Sequence, residues 1–164
     1  MPLQLTLRVL EAPASCAPIP NAAVDVWQCD ALGIYSGYEG AAIAPRHVEP
    51  VDDKTFLRGT QLTDAAGVVR FRTIYPGWYS GRTPHVHLKL RVGAKAATTQ
   101  LYFPDEVTNA VYARAPYDRH PNPDTTNATD RFLGRIADKS LVMWTIESDR
   151  DGYLAAATVA LRTS

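Results

Sequence analysis

The sequence predicts an all-β protein, an antiparallel β-sandwich with long loops and one or two short helices. Three observations predict it. Apolar and polar residues alternate with a period of two along several short runs, turn-forming Gly, Pro and Asp fall between the runs, and helical spacing is scarce.

The elements follow in order. Leu3, Leu5, Leu7 and Val9 alternate with Gln4, Thr6 and Arg8, the pattern of a half-buried strand. Val24-Asp25-Val26-Trp27 is a second short strand. The turn Thr63-Asp64-Ala65-Ala66-Gly67 leads into a third, Val68 to Ile74. In the next run Val86, Leu88, Leu90 and Val92 alternate with His85, His87, Lys89 and Arg91. Thr98 to Phe103 and Leu141 to Ile146 are further strands, and Asp151-Gly152 turns the chain into a last one, Tyr153 to Leu161. Asp105 to Arg114 and Asp130 to Asp138 are the two helical candidates, with Asp105 near an N-cap. Pro116, Pro121 and Pro123 punctuate a long irregular segment of the kind that is often functional. No repeat or linker interrupts the chain, so residues 1–164 are read as one domain.

Composition narrows the function. A chain of 164 residues can bury roughly 70% of its unfolded surface. Lys+Arg and Asp+Glu both total 17, a balance that argues against a nucleic-acid footprint or a polybasic membrane surface. No apolar run approaches the roughly 18 residues of a membrane span. The N-terminal Met1 to Leu7 lacks a charged region followed by an apolar stretch, so no signal peptide is expected, although a domain stripped of its leader would look the same. The two cysteines, Cys16 and Cys29, fit either one disulfide or two free thiols, and localisation stays open with them.

The most informative stretch runs from Ile74 to His87. It ends in His-x-His on a strand, where side chains two apart share a face, so both imidazoles can reach one metal. Taken alone, the pair also fits surface or packing histidines. Before it, Pro76, Gly77, Gly81 and Pro84 frame a loop that carries Tyr79 and Arg82. This is either a shaped functional turn or a strand connection with an aromatic plug.

A second stretch, Pro18 to Tyr38, contains Gly33-Ile34-Tyr35. Together the two segments resemble the intradiol ring-cleavage dioxygenases, the family of protocatechuate 3,4-dioxygenase and catechol 1,2-dioxygenase, and within it the small single-domain, often secreted members. The resemblance covers nearly the whole chain. It implies one Fe(III) per chain held by Tyr35, Tyr79, His85 and His87. It also implies Arg82 and Gln100 as active-site residues, and a catechol and O2 as reactants. Tyr79 would leave the metal and take the catechol proton, while Tyr35 stays bound. Arg82 would stabilise charge on the ring. Gln100 would support the site by hydrogen bonding. The charge count fits, because a ferric ion with two tyrosinates and two neutral imidazoles keeps one positive charge. The helical N-terminal dimerisation domain of the catechol 1,2-dioxygenases has no counterpart here, and homo-oligomerisation is left open.

Other residues take plainer readings. Tyr38 is a wall or core residue, and His47 and His120 are surface or loop histidines. Asp30 forms a turn or shapes the entrance. Trp27, Trp78, Tyr102, Tyr112 and Tyr117 pack, with Trp78 placed to line the site. The alternative from another class is a transthyretin-like β-sandwich binding module without catalysis, which explains the turns but not the co-occurring tyrosines and histidines. A zinc hydrolase is poorer still, because no carboxylate in these motifs offers a third ligand.

Overall fold

Eight of the described segments are extended, and the strands that face the core carry the alternation. The structure is a computed structural model and describes residues 1–12, 16–37 and 53–162; Tyr38 and His47 lie outside the described residues. Its strands are β1 (Pro2–Ala12), β2 (Ala23–Trp27), β3 (Arg58–Leu62), β4 (Val68–Ile74), β5 (His85–Val92), β6 (Lys95–Tyr102), β7 (Thr145–Ser148) and β8 (Tyr153–Arg162). Among the described residues there is one α-helix, α1 (Asp105–Tyr112), which follows β6.

The strands form two four-stranded sheets, ordered β4-β1-β8-β7 and β3-β2-β5-β6. The first sheet turns Leu3, Leu5, Leu7, Val9, Phe71 and Val159 inward. The second answers with Val24, Val26, Val86, Leu88, Leu90 and Leu101. Each such side chain contributes about 1.5–3 kcal/mol when fully buried, and this facing of two apolar sides is what makes the sandwich. One strand pair departs from the antiparallel expectation. β1 and β8 run parallel, from Leu3 beside Tyr153 to Ala12 beside Arg162, because the two lie at opposite ends of the chain and no hairpin joins them.

Four further differences have local causes. β3 was not anticipated: Arg-Gly-Thr-Gln-Leu is an edge strand, largely exposed, and carries no alternation. The predicted strand Leu141 to Ile146 is displaced. Leu141 lies in a 3-10 turn, Lys139–Val142, and pairing starts at Thr145. α1 ends at Tyr112 rather than Arg114, and its N-cap is Pro104, which leaves the Asp105 carboxylate to accept from the Asn127 amide. The helix expected over Asp130 to Asp138 is only a 3-10 turn, Leu133–Arg135. There the Asp130 carboxylate takes the Phe132 and Leu133 amides at 2.8 and 3.0 Å, a side-chain turn that competes with helix propagation.

Candidate metal centre

β5 places the histidines. With Val86, Leu88 and Leu90 turned to the core, His85 and His87 share the opposite face of the second sheet. That face is nevertheless covered: His85 is 2% exposed. The His85 Nδ1–H donates to the Thr83 carbonyl at 2.7 Å, which leaves the Nε2 lone pair free. His87 is flanked on the neighbouring strands by Trp27 and Gln100. The Trp27 ring stacks on its imidazole with centroids 4.7 Å apart and planes 7° apart.

The tyrosines come from two loops that interlock through glycines. Gly33 has φ +86°, and a Cβ there would lie 2.0 Å from the Trp78 carbonyl oxygen. A Cβ on Gly77 would lie 2.6 Å from the carbonyl oxygens of Asp30 and Ala31. Only glycine permits this approach. The Gly77 amide donates to the Asp30 carbonyl at 2.8 Å, and the Cys29 thiol donates to the Gly77 carbonyl at 3.3 Å. The Asp30 carboxylate accepts the Leu32 and Ile34 amides, so its role is to form the turn. Tyr35 and Tyr79 thereby meet edge to face, with ring centroids 5.7 Å apart.

Four donor groups converge. His85 Nε2 lies 3.2 Å from His87 Nε2 and 3.2 Å from the Tyr79 hydroxyl. The Tyr35 ring stands edge-on to both Tyr79 and His87, and its buried hydroxyl has no hydrogen-bond partner. Burial, then the Arg82 charge, pushes the His85 pKa down to about 3. Burial, then His85, Arg82 and Arg58, pushes that of His87 down to about 2. Both imidazoles are therefore neutral. Burial raises the Tyr35 phenol well above its ordinary value, and it raises Tyr79 against the opposing pull of Arg82. A cation among these atoms would reverse that preference and ionise them.

The donor set fits such a cation. Two donors bonded to one ion at roughly 2.1 Å and a right angle sit about 3 Å apart, close to the spacing observed. An orphaned buried phenol hydroxyl is costly unless something takes it up. Among the described residues no three His, Cys, Asp or Glu side chains gather as a metal site, so the tyrosines must complete any metal set here. Phenolate and imidazole suit a hard, highly charged metal.

Arg82 lies beside these donors and is 6% exposed. Its Nε–H donates to Asp130 Oδ2 at 2.8 Å, and its Nη2 donates to Gln100 Oε1 and, at 3.2 Å, to the Tyr102 hydroxyl. Its Nη1 faces the Tyr79 hydroxyl at 3.4 Å and His85 Nε2 at 3.5 Å. The Phe132 ring stacks beneath the guanidinium, 4.3 Å from centroid to carbon. The Gln100 amide nitrogen reaches toward His87 Nδ1 at 3.4 Å.

All six residues expected at the site, Tyr35, Tyr79, Arg82, His85, His87 and Gln100, come together. Tyr102 belongs with them rather than in general packing, since its hydroxyl also donates to Gln100 Oε1 at 2.7 Å. Its spacing of two from Gln100 on β6 was the available signal. Asp130 and Phe132 had none, because they lie 48 and 50 residues from Arg82 in an irregular segment. Trp78 stacks on His120 at 4.1 Å and donates to its carbonyl instead of lining the donor cluster. Tyr112 and Tyr117 pack in the core, as expected. Cys16 is exposed and Cys29 buried, and they form no disulfide.

Known proteins share this fold. A family model described as Dioxygenase matches residues 2–120. The chain belongs to that family, in its intradiol ring-cleavage branch. The protocatechuate 3,4-dioxygenase beta chain of Burkholderia cepacia is 34% identical over 130 residues, which cover 73% of this chain and 50% of that one. Chlorocatechol 1,2-dioxygenase of Pseudomonas putida is 32% identical over 104 residues, 52% of this chain and 36% of its own. The chain thus spans half or less of the length of these curated relatives. Among solved structures, an intradiol ring-cleavage dioxygenase from Tetranychus urticae matches with a TM-score of 0.91 at 30% identity, covering 99% of this chain and 81% of that one. The dioxygenase domain of a carbohydrate-binding fusion protein from Streptomyces sp. SirexAA-E matches with a TM-score of 0.67 at 27% identity, covering 99% and 80%.

Proposed function

We propose that the chain is an Fe(III)-dependent intradiol dioxygenase. It cleaves catechol-type diols between the two hydroxyl-bearing carbons with O2, giving cis,cis-muconate-type diacids. The observation that carries the reading is the convergence of His85 Nε2, His87 Nε2 and the Tyr79 oxygen beside the unpartnered Tyr35 hydroxyl. Tyr35, Tyr79, His85 and His87 would hold the iron. Bound ferric iron supplies a Lewis-acidic seat for the diol oxygens and draws electron density from the ring.

The residues divide the remaining work. Tyr79 is the base: its phenol oxygen faces Arg82 Nη1, which can hold it as it gains or gives up a proton. Tyr35 has no such donor at its oxygen and is assigned as the tyrosine that stays. Arg82, buried and fixed on three sides, presents positive charge where negative charge develops on the diol. Gln100 links Arg82 to His87. Trp27 keeps the His87 ring in plane.

The test is reconstitution. The chain loaded with ferric iron should be coloured by tyrosinate-to-iron charge transfer, the band should move on adding catechol, and oxygen should be consumed as the diacid forms. A colourless preparation that stays inactive after ferric loading would overturn the proposal.

A further inference from the structure

One stretch, residues 120–133, grips the turn that carries Tyr79 and Arg82, and all of it after His120 lies beyond the residues that the family match covers. The His120 carbonyl accepts from the Trp78 indole at 2.8 Å. The Asp124 carboxylate accepts from the Ser80 hydroxyl at 2.6 Å and from the Gly81 amide at 3.0 Å. Asn127 Oδ1 accepts from the Thr83 hydroxyl at 2.9 Å, while its amide nitrogen donates to the Phe103 carbonyl at 2.7 Å. Asp130 closes the set. Its Oδ2 accepts from Arg82 Nε and the Thr83 amide, and its Oδ1 accepts from the Phe132 and Leu133 amides.

A guanidinium has five N–H bonds in one plane. At Arg82 the Nε–H goes to Asp130 and the Nη2 pair goes to Gln100 and Tyr102. Only the Nη1 pair is left to face the donor cluster, with Tyr79 and His85 as its neighbours. The direction of Nη1 is therefore set from the far side of the fork. A rigid planar group held at one edge and stacked on one face has no freedom left at the other edge. The Asp130 carboxylate is itself immobile, because its four donors include three backbone amides.

We infer that Asp130 is a positioning residue of the reaction: through the Arg82 Nε–H it aims Nη1 at the Tyr79 oxygen. The inference rests on the proposed function for its catalytic consequence and on geometry alone for the coupling. Asp130 touches neither a ligand atom nor substrate; beside its bond to Arg82 it holds the Thr83 amide, whose residue's carbonyl accepts from His85, and the double variant below separates the two routes.

The experiment has a metal-free arm and a turnover arm. In the metal-free protein, Arg82 Nε–H should give a nitrogen–proton NMR signal protected from solvent exchange. The signal should be identified by its loss in Arg82→Lys, and Asp130→Asn should shift it and speed its exchange. In the ferric protein, Asp130→Asn should keep its tyrosinate colour, lower kcat by about 10- to 100-fold, the usual effect of removing an orienting partner, and change KM by less than about threefold. The double variant Asp130→Asn/Arg82→Ala should be no slower than Arg82→Ala alone. An unprotected Arg82 signal in the native chain overturns the coupling. A kcat within twofold of native, or losses that multiply in the double variant, overturns the positioning role. An inactive native protein overturns the proposed function instead, and the NMR arm then still decides the coupling. Should Asp130→Asn fail to fold, Asp130→Glu, which keeps the charge and moves it by one methylene, is read by the same two arms.

Discussion

Tyr35 and Tyr79 are chemically identical side chains in unlike surroundings. Tyr79 has Arg82 and His85 near its oxygen, whereas the Tyr35 oxygen is buried with no partner. Replacing Tyr35 by Phe removes a proposed ligand oxygen that has no hydrogen-bond partner in the protein. The variant should fold with nearly native stability when metal-free, and should lose most of its visible band when loaded with ferric iron; an unchanged band would remove Tyr35 from the ligand set. The histidines predict the pH response. Their folded pKa values, about 3 and about 2, lie below the ordinary 6.5. Between those limits the unfolded chain binds protons that the folded chain refuses, so folding is weakened by acid. The metal-free protein should hold full stability above pH 6.5 and lose it progressively toward pH 3. Denaturant titrations across that range will check the slope, which should flatten in His85→Gln/His87→Gln. The strand period put His85 and His87 on one face in advance, but their joining Tyr35 and Tyr79 in one site was legible only through the family resemblance. Asp130 was not legible, since its partner is chosen by the path of an irregular segment.

At the level of elements, the site is a sheet face closed by two loops. The loops are joined backbone to backbone at Gly33 and Gly77, where any Cβ would enter a neighbouring carbonyl. Gly33→Ala therefore carries two penalties, a positive φ and a clash with the Trp78 oxygen. It should separate Tyr35 from Tyr79 and lower ferric affinity by at least tenfold, by competition with a chelator, while the far-UV spectrum of the sheets persists. The strands facing the core were legible because their burial follows a period of two. β3 was not, because an exposed edge strand selects for solubility rather than pattern. The 3-10 turn Leu133–Arg135 was misjudged for a related reason: helical composition there is overruled by a carboxylate that caps the first amides.

Across the whole molecule, all four proposed ligands sit on one sheet or on the loops above it, and the other sheet supplies the opposing half of the core. A bound ion would cross-link β5 to two loops that otherwise meet through backbone contacts. Loading should therefore stabilise the entire sandwich, by about 4 kcal/mol when free metal is a thousandfold above its dissociation constant. Calorimetry before and after chelation measures this, and an unchanged Tm would mean that the folded chain does not hold the ion.

The parallel seam between β1 and β8 has a consequence in time. Leu3 waits for Tyr153, a partner about 150 residues away, so β1, made before the other seven strands, is among the last of them to be completed. The second sheet needs only residues 23–102 and can assemble while the remainder is still being made. On this ordering the face that carries the histidines is in place early. Synthesis then delivers the segment that grips Arg82, and after it β8, which locks the first sheet shut.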